Sequence, residues 1–270
     1  MLDWAERQGT PQRVIDPGSG SGRYLLAAGR RFPGARLIGV EIDPLAALIA
    51  RGNLAAAGLA ARAAIEFADF RVFEPACCAG RTLYLGNPPY VRHHLVSSPW
   101  KDWLKRDAAA LGLEASGLAG LHLHFVLAIA RRAAPGDFGA PITAAEWLDV
   151  NYGRLVRDLF AGPLGGEGIV VIEPTAACFP DAATTAAITT FVVGRERGSI
   201  HFSRVRAAAE LGDLGHGGAG GGPERRLQAP QPGKRPGARV DAVLGARTSS
   251  RCSTGCIARG SRPDRQGRSC

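Results

Sequence analysis

Over the first 90 positions the apolar residues fall in short runs, each closed by glycine, proline or an acid, with helically spaced apolar residues between them. RVID (residues 13–16) predicts a strand, and PGSGSG turns it into a helix over residues 23–32. LIGVEI (37–42) predicts a second strand, followed by a helix from 44 to about 57. AIEFADF (64–70) and TLYLG (82–86) predict the third and fourth strands. Strands alternating with helices of this length imply βαβ units on a parallel sheet, with right-handed crossovers.

Beyond residue 86 the pattern predicts helices over 99–111 and 118–133, a strand near 140–143, a helix over 146–160 and a strand over 168–174. AAITTFVVGRE and SIHFSRVR (186–196 and 199–206) read as two late strands, paired with each other across a turn at 197–198. The expected architecture is α/β, a doubly wound, mostly parallel sheet of seven or eight strands.

The texture changes near residue 215. HGGAGGGPERRLQAPQPGKRPGARV carries almost no apolar periodicity, and such a segment cannot bury enough surface to offset its ordering entropy. The expectation is a folded domain over 1–214 and a disordered basic tail over 215–270. A second explanation stands beside it. Few lysines and many Arg, Ala and Gly residues suggest a GC-rich gene, in which out-of-frame translation after about Leu214 would produce such text. The tail also holds most of the charge: 11 Lys/Arg against 3 acids, out of a chain total of +9, so residues 1–214 are almost neutral. Overall basicity is therefore no argument for nucleic-acid binding. Local charge is, since Arg92, His93, His94, Lys101, Lys105 and Arg106 cluster together.

No stretch reaches the roughly 18 apolar residues of a membrane span, and MLDWAERQGT lacks the features of a signal peptide. A cytoplasmic protein without membrane association is expected. Of the six cysteines, Cys77 and Cys78 are adjacent, Cys178 stands alone, and Cys252, Cys256 and Cys270 lie in the tail. Neither a disulfide framework nor a zinc quartet emerges, and no metal is expected.

The candidate chemistry sits at strand ends. In DPGSGSGRY (16–24) the glycines allow close backbone approach, and the helix start adds its dipole. No Lys-Ser/Thr follows, so this is not a P-loop. Glu41, about 21 residues after Gly20, ends the second strand where an acid can bond ribose hydroxyls; a merely solvated acid is the plain alternative. Asp69 and Phe70 end the third, offering an acceptor for an adenine amino group and a ring to cover the base; a polar strand end with one core phenylalanine is the plain alternative. Three suitable strand ends in order favour an adenosine site. The fourth ends in GNPPYVRHH, where prolines force the strand to stop. An exocyclic amine is a poor nucleophile because its lone pair is delocalised. Acceptors on its two protons, here the Asn87 side-chain oxygen and the Pro88 carbonyl, draw the nitrogen towards tetrahedral geometry. The prolines hold those acceptors rigidly, and the Tyr90 ring can stack on an extruded base.

DPGSGSGRY, GVEIDP, ADF and GNPPYVRHH, in that order, resemble the S-adenosylmethionine-dependent adenine-N6 DNA methyltransferases of bacterial restriction–modification systems, and the resemblance runs over about residues 2–210. It implies a Rossmann-like methyltransferase fold with S-adenosylmethionine as cofactor and DNA as partner. Asn87, Pro88, Pro89 and Tyr90 would form the catalytic loop. Asp16, Gly18, Gly20 and Gly22 would line the methionine side of the cofactor, Glu41 the ribose, and Asp69 and Phe70 the adenine. Arg92, His93 and His94 would face the DNA strand, or else form a solvated polar loop. Three departures stand out. Only MLDWAERQGTP precedes the first strand, which suggests truncation of a cofactor-contacting segment. Gly120-Leu121-His122 replaces an acid before Leu-aromatic. No folded target-recognition domain follows, so a separate one, or a cognate restriction endonuclease, is the expected protein partner. An NPPY enzyme acting on a protein glutamine amide or an RNA base, or an inactive remnant, is the alternative; the helical insert over 99–133 favours the DNA enzyme.

Overall fold

A computed structural model describes residues 1–176, 185–195, 199–207 and 209–210. Cys178, the expected turn at 197–198 and the tail from 215, with its three cysteines, lie outside the described residues. The strands are β1 (Arg13–Pro17), β2 (Arg36–Glu41), β3 (Ala63–Phe67), β4 (Thr82–Gly86), β5 (Phe138–Ala144), β6 (Gly166–Ile172), β7 (Ala186–Val192) and β8 (His201–Val205). The α-helices are α1 (Leu2–Arg7), α2 (Arg23–Arg31), α3 (Pro44–Ala56), α4 (Ser98–Ala109), α5 (Leu121–Arg132) and α6 (Arg154–Ala161). The strands form one sheet in the order β3-β2-β1-β4-β5-β7-β6-β8, with β7 antiparallel to both its neighbours.

Period-two alternation builds two cores from the same strands. Val14, Leu37, Leu83 and Leu85 face one way and pack with Leu25 of α2 and Ala47, Ala50 and Leu54 of α3. Ile15, Ile38 and Tyr84, one residue on, face the other way and join Leu104 of α4, Leu123 and Leu127 of α5, and Leu159 of α6. Burial on both faces explains why these strands read as continuous apolar runs rather than alternating ones.

The GVEIDP segment shows how local chemistry sets an element. Asp43 caps α3, its Oδ1 accepting from the Leu45 and Ala46 amides at 2.8 and 3.0 Å, and Pro44 occupies the first turn, where its missing N–H is no loss. Asp137 fastens the β5 entry to β4 by accepting from the Thr82 amide at 2.7 Å and the Ala134 amide at 2.9 Å.

Four expectations need correction. The late strands do not pair with each other: β7 lies between β5 and β6, and β8 pairs in parallel with β6. Every position of β7 is buried, so it needs neighbours on both sides, whereas the half-exposed β8 suits the edge. The third strand ends at Phe67, which leaves Asp69 and Phe70 in the loop beyond it. The helix expected over 146–160 is two 3-10 turns, Ala145–Leu148 and Asn151–Gly153, before α6. The helix expected from 118 starts at Leu121.

Candidate active site

β1 and β4 are parallel neighbours ending at one edge of the sheet. From there β1 leads through α2 to β2, while β4 leads through α4 and α5 to β5 on its other side. The helices of the two connections cover opposite faces. The crevice between the loops that follow β1 and β4 is the topological switch point, where open α/β sheets bind ligands.

Gly18, Gly20 and Gly22 adopt φ of +72°, +50° and +82°, a region that side chains with a β-carbon rarely enter. The Gly18 and Ser19 amides donate to the Val40 carbonyl at 2.9 and 3.1 Å. The Gly20 amide donates to Glu41 Oε2 at 2.7 Å, and Glu41 Oε1 accepts from the Ile42 and Asp43 amides at 2.9 Å each. Glu41 thus ties the glycine turn to the loop after β2. A carboxylate has about four acceptor sites, so these three bonds leave roughly one for a ligand.

Asp16, in β1, is 1% exposed, and neither carboxylate oxygen has a hydrogen-bond partner among the described residues. Burial, seconded by the charge of Glu41, pushes its carboxyl well above the usual range. Two more buried polar atoms at the ends of β1 and β4, Ser19 Oγ and Asn87 Oδ1, also lack partners. Native folds rarely leave such groups unsatisfied, and each asks for a functional explanation.

The NPPY loop lies against the glycine turn. A β-carbon on Gly18 would stand 3.1 Å from Pro89 Cδ and 3.5 Å from Phe125 Cε1. Pro88 is buried, Pro89 is exposed, and Tyr90 keeps 45% of its surface open. The start of α5 holds this loop: the Leu121 amide donates to the Val91 carbonyl at 2.9 Å, and the His122 ring meets Tyr90 edge-on at 6.0 Å. Gly120 sits so close to Val91 O and the His122 ring, at 3.2 and 3.1 Å from an added β-carbon, that an acid there would be crowded.

The adenine pair departs from its expected arrangement. The Asp69 carboxylate is engaged by Arg71, whose Nε lies 2.9 and 3.1 Å from its two oxygens and whose amide donates to Oδ1 at 2.9 Å. Phe70 is 2% exposed and stacks on Phe125 at 5.5 Å, which leaves it no open face towards a ligand. Exposed apolar side chains on the same rim are Ile42, beside Glu41, and Phe67, paired with Glu41 across β2 and β3.

Arg92 and His94 are exposed and His93 half-buried in a loop that closes into the turn His93–Leu95, with the two imidazoles edge to face at 5.6 Å. Sequence reasoning missed Ser19, Arg71 and His124. The signal for His124 was LHLHF, two histidines on an otherwise apolar helix. His124 is fully buried, stacks on Trp103 at 5.8 Å and has neither ring nitrogen partnered; burial pushes both His122 and His124 down to about 4. Among the described residues no cluster of His, Cys, Asp or Glu could hold a metal ion, Cys77 and Cys78 are free thiols, and no helix is long and apolar enough to cross a membrane.

No family model matches the sequence. Over 214 residues, 79% of this chain, it is 50% identical to the type II methyltransferase M.XamI of Xanthomonas campestris pv. amaranthicola, and it spans 40% of that protein's length. The fold matches the methyltransferase subunit of a type I restriction–modification system from Streptococcus thermophilus, with a TM-score of 0.63 at 16% identity, covering 79% of this chain and 49% of that one. It also matches a Listeria monocytogenes chain assigned to the class I S-adenosylmethionine-dependent methyltransferases, with a TM-score of 0.59 at 14% identity, covering 80% and 68%. Over the residues it shares with M.XamI, the chain is thus similar to a type II methyltransferase, and its fold is that of the S-adenosylmethionine-dependent methyltransferases.

Proposed function

We propose that this chain carries the methyl-transfer machinery of a DNA adenine-N6 methyltransferase. The observation that carries the proposal is the packing of the NPPY loop on the glycine turn at the switch point, with 3.1 Å between Pro89 Cδ and the β-carbon position of Gly18. On this reading the contact joins the turn that would hold the cofactor to the loop that would hold the amine.

The residues at the crevice suit S-adenosylmethionine. A buried carboxylate without a partner, Asp16, suits a cationic amino-acid end, and Gly18, Gly20 and Gly22 leave the turn open to close approach. Glu41 keeps an acceptor site for a ribose hydroxyl. Asp69 and Phe70 belong on this proposal to the adenine end, Asp69 through the oxygens it shares with Arg71 and Phe70 as the support beneath. The cofactor supplies an electrophilic methyl group when bound.

The chain's own work is to prepare the nucleophile. The Asn87 oxygen and the Pro88 carbonyl accept the two protons of the exocyclic amine and free its lone pair, Pro88 and Pro89 hold those acceptors without large motion, and Tyr90 stacks on the extruded base. Arg92, His93 and His94 flank the DNA backbone, where a cation positions a phosphate without reading sequence. Base reading then falls to a target-recognition domain, and a cognate endonuclease completes the system.

The test is incubation of the full chain with unmethylated plasmid DNA and S-adenosylmethionine labelled in its methyl group, followed by digestion to nucleosides. Label in N6-methyldeoxyadenosine is expected. Label in methylated cytidines instead, or in no nucleoside, overturns the proposal.

A further inference from the structure

The loop that leaves β3 meets the helix that follows the NPPY loop, and Arg71 makes a polar link between them. Arg71 grips both oxygens of Asp69 and at the same time sits over Trp100, its guanidinium carbon 3.4 Å from the ring centre. The Asp69 and Arg71 side chains are 15% and 10% exposed. Trp100 belongs to the first turn of α4, meets Trp103 edge-on at 5.9 Å, and Trp103 in turn stacks on His124 of α5. Arg132, at the end of α5, donates to the Arg71 carbonyl at 2.9 Å and holds the same loop from beneath.

A bidentate carboxylate pair fixes the plane of the guanidinium, and an approach of 3.4 Å to the ring centre fixes its position over the indole. With both made by the same guanidinium, Asp69 and Trp100 do not shift independently. A donor that draws on the Asp69 oxygens competes with Arg71, and whatever moves the guanidinium moves the ring beneath it. We infer that Arg71 is a positioning residue that couples occupancy of the β3 edge to the setting of α4. The inference rests on the proposed function, in which the cofactor's adenine end lies at Asp69 and α4 follows the substrate-facing loop. Such a link makes cofactor and substrate sites reciprocal in their affinities.

Trp100, one of four tryptophans, reports on this directly. The experiment titrates S-adenosylmethionine into the full chain, following heat by calorimetry and indole emission by fluorescence, in wild type, Arg71→Lys and Trp100→Leu. Lysine keeps the charge but can neither bond bidentately nor stack flat. Wild type is expected to change emission on binding, Trp100→Leu to lose that change, and Arg71→Lys to lose at least half of it while binding five- to tenfold more weakly. Trp100→Leu, with the Arg71–Asp69 pair kept, is also expected to weaken binding at least threefold, which tests the link even if Arg71→Lys does not fold. Equal affinity in all folded variants, or an Arg71→Lys emission response equal to wild type, overturns the inference while leaving the functional proposal intact. If wild type binds no S-adenosylmethionine, the functional proposal falls and the inference falls with it.

Discussion

Gly86 gives Asp16 the space its carboxylate occupies. A β-carbon at 86 would collide with Asp16 Oδ1 and stand 3.3 Å from Pro17 Cδ, so β4 passes the end of β1 only as glycine. The last residue before the NPPY loop is therefore chosen by the first acid of the glycine-turn segment. Gly86→Ala should destabilise the domain by about 1–3 kcal/mol through overpacking and weaken S-adenosylmethionine binding with it. Unchanged melting and binding would separate the two strand ends.

Asp16 makes a stability claim with a definite sign. Its folded carboxyl titrates above the ordinary 3.8 because of burial and then Glu41. Above that ordinary value the native state holds the proton longer than the unfolded chain, so stability falls as pH rises through the folded value. Asp16→Asn should melt higher than wild type at pH 8, with the gap closing towards pH 4, and should bind S-adenosylmethionine at least tenfold more weakly. Thermal melts across that range, with calorimetry at pH 8, check both; a variant less stable than wild type at pH 8 contradicts the assignment.

His124 has the opposite dependence. Burial, then Arg71 and His122, push its folded value down to about 4 from 6.5, so the unfolded chain takes the proton first as pH falls. Stability is lost from about pH 6.5 downwards. His124→Phe keeps a ring on Trp103 and removes two unpartnered nitrogens, and should recover on the order of 2 kcal/mol at pH 5. Denaturant melts at pH 5 and pH 8 measure it, and an equal effect at both would point to packing alone.

Asn87 should separate chemistry from binding. Its side-chain oxygen is buried without a partner and is the acceptor the proposed mechanism needs. Asn87→Ala is expected to lower methyl transfer by at least a hundredfold with S-adenosylmethionine affinity within a few fold of wild type. Equal loss of both would assign Asn87 to the fold of the crevice instead.

The sequence by itself determined the βαβ alternation and the strand ends that carry Asp16, Glu41 and Asn87, because each depends on local rules: period-two burial, proline stops and glycine turns. Strand order was another matter. β7 and β8 are neighbours in the chain, yet β7 takes an interior place because every one of its positions is buried, and burial is a property of the assembled sheet. The same holds at the site. Asp69 and Phe70 were expected to end the third strand, and they lie in the loop beyond it. Arg71, two residues on, grips the acid through local bonds, whereas only packing decided that Phe125 covers the ring, because that partner arrives from a helix more than fifty residues away.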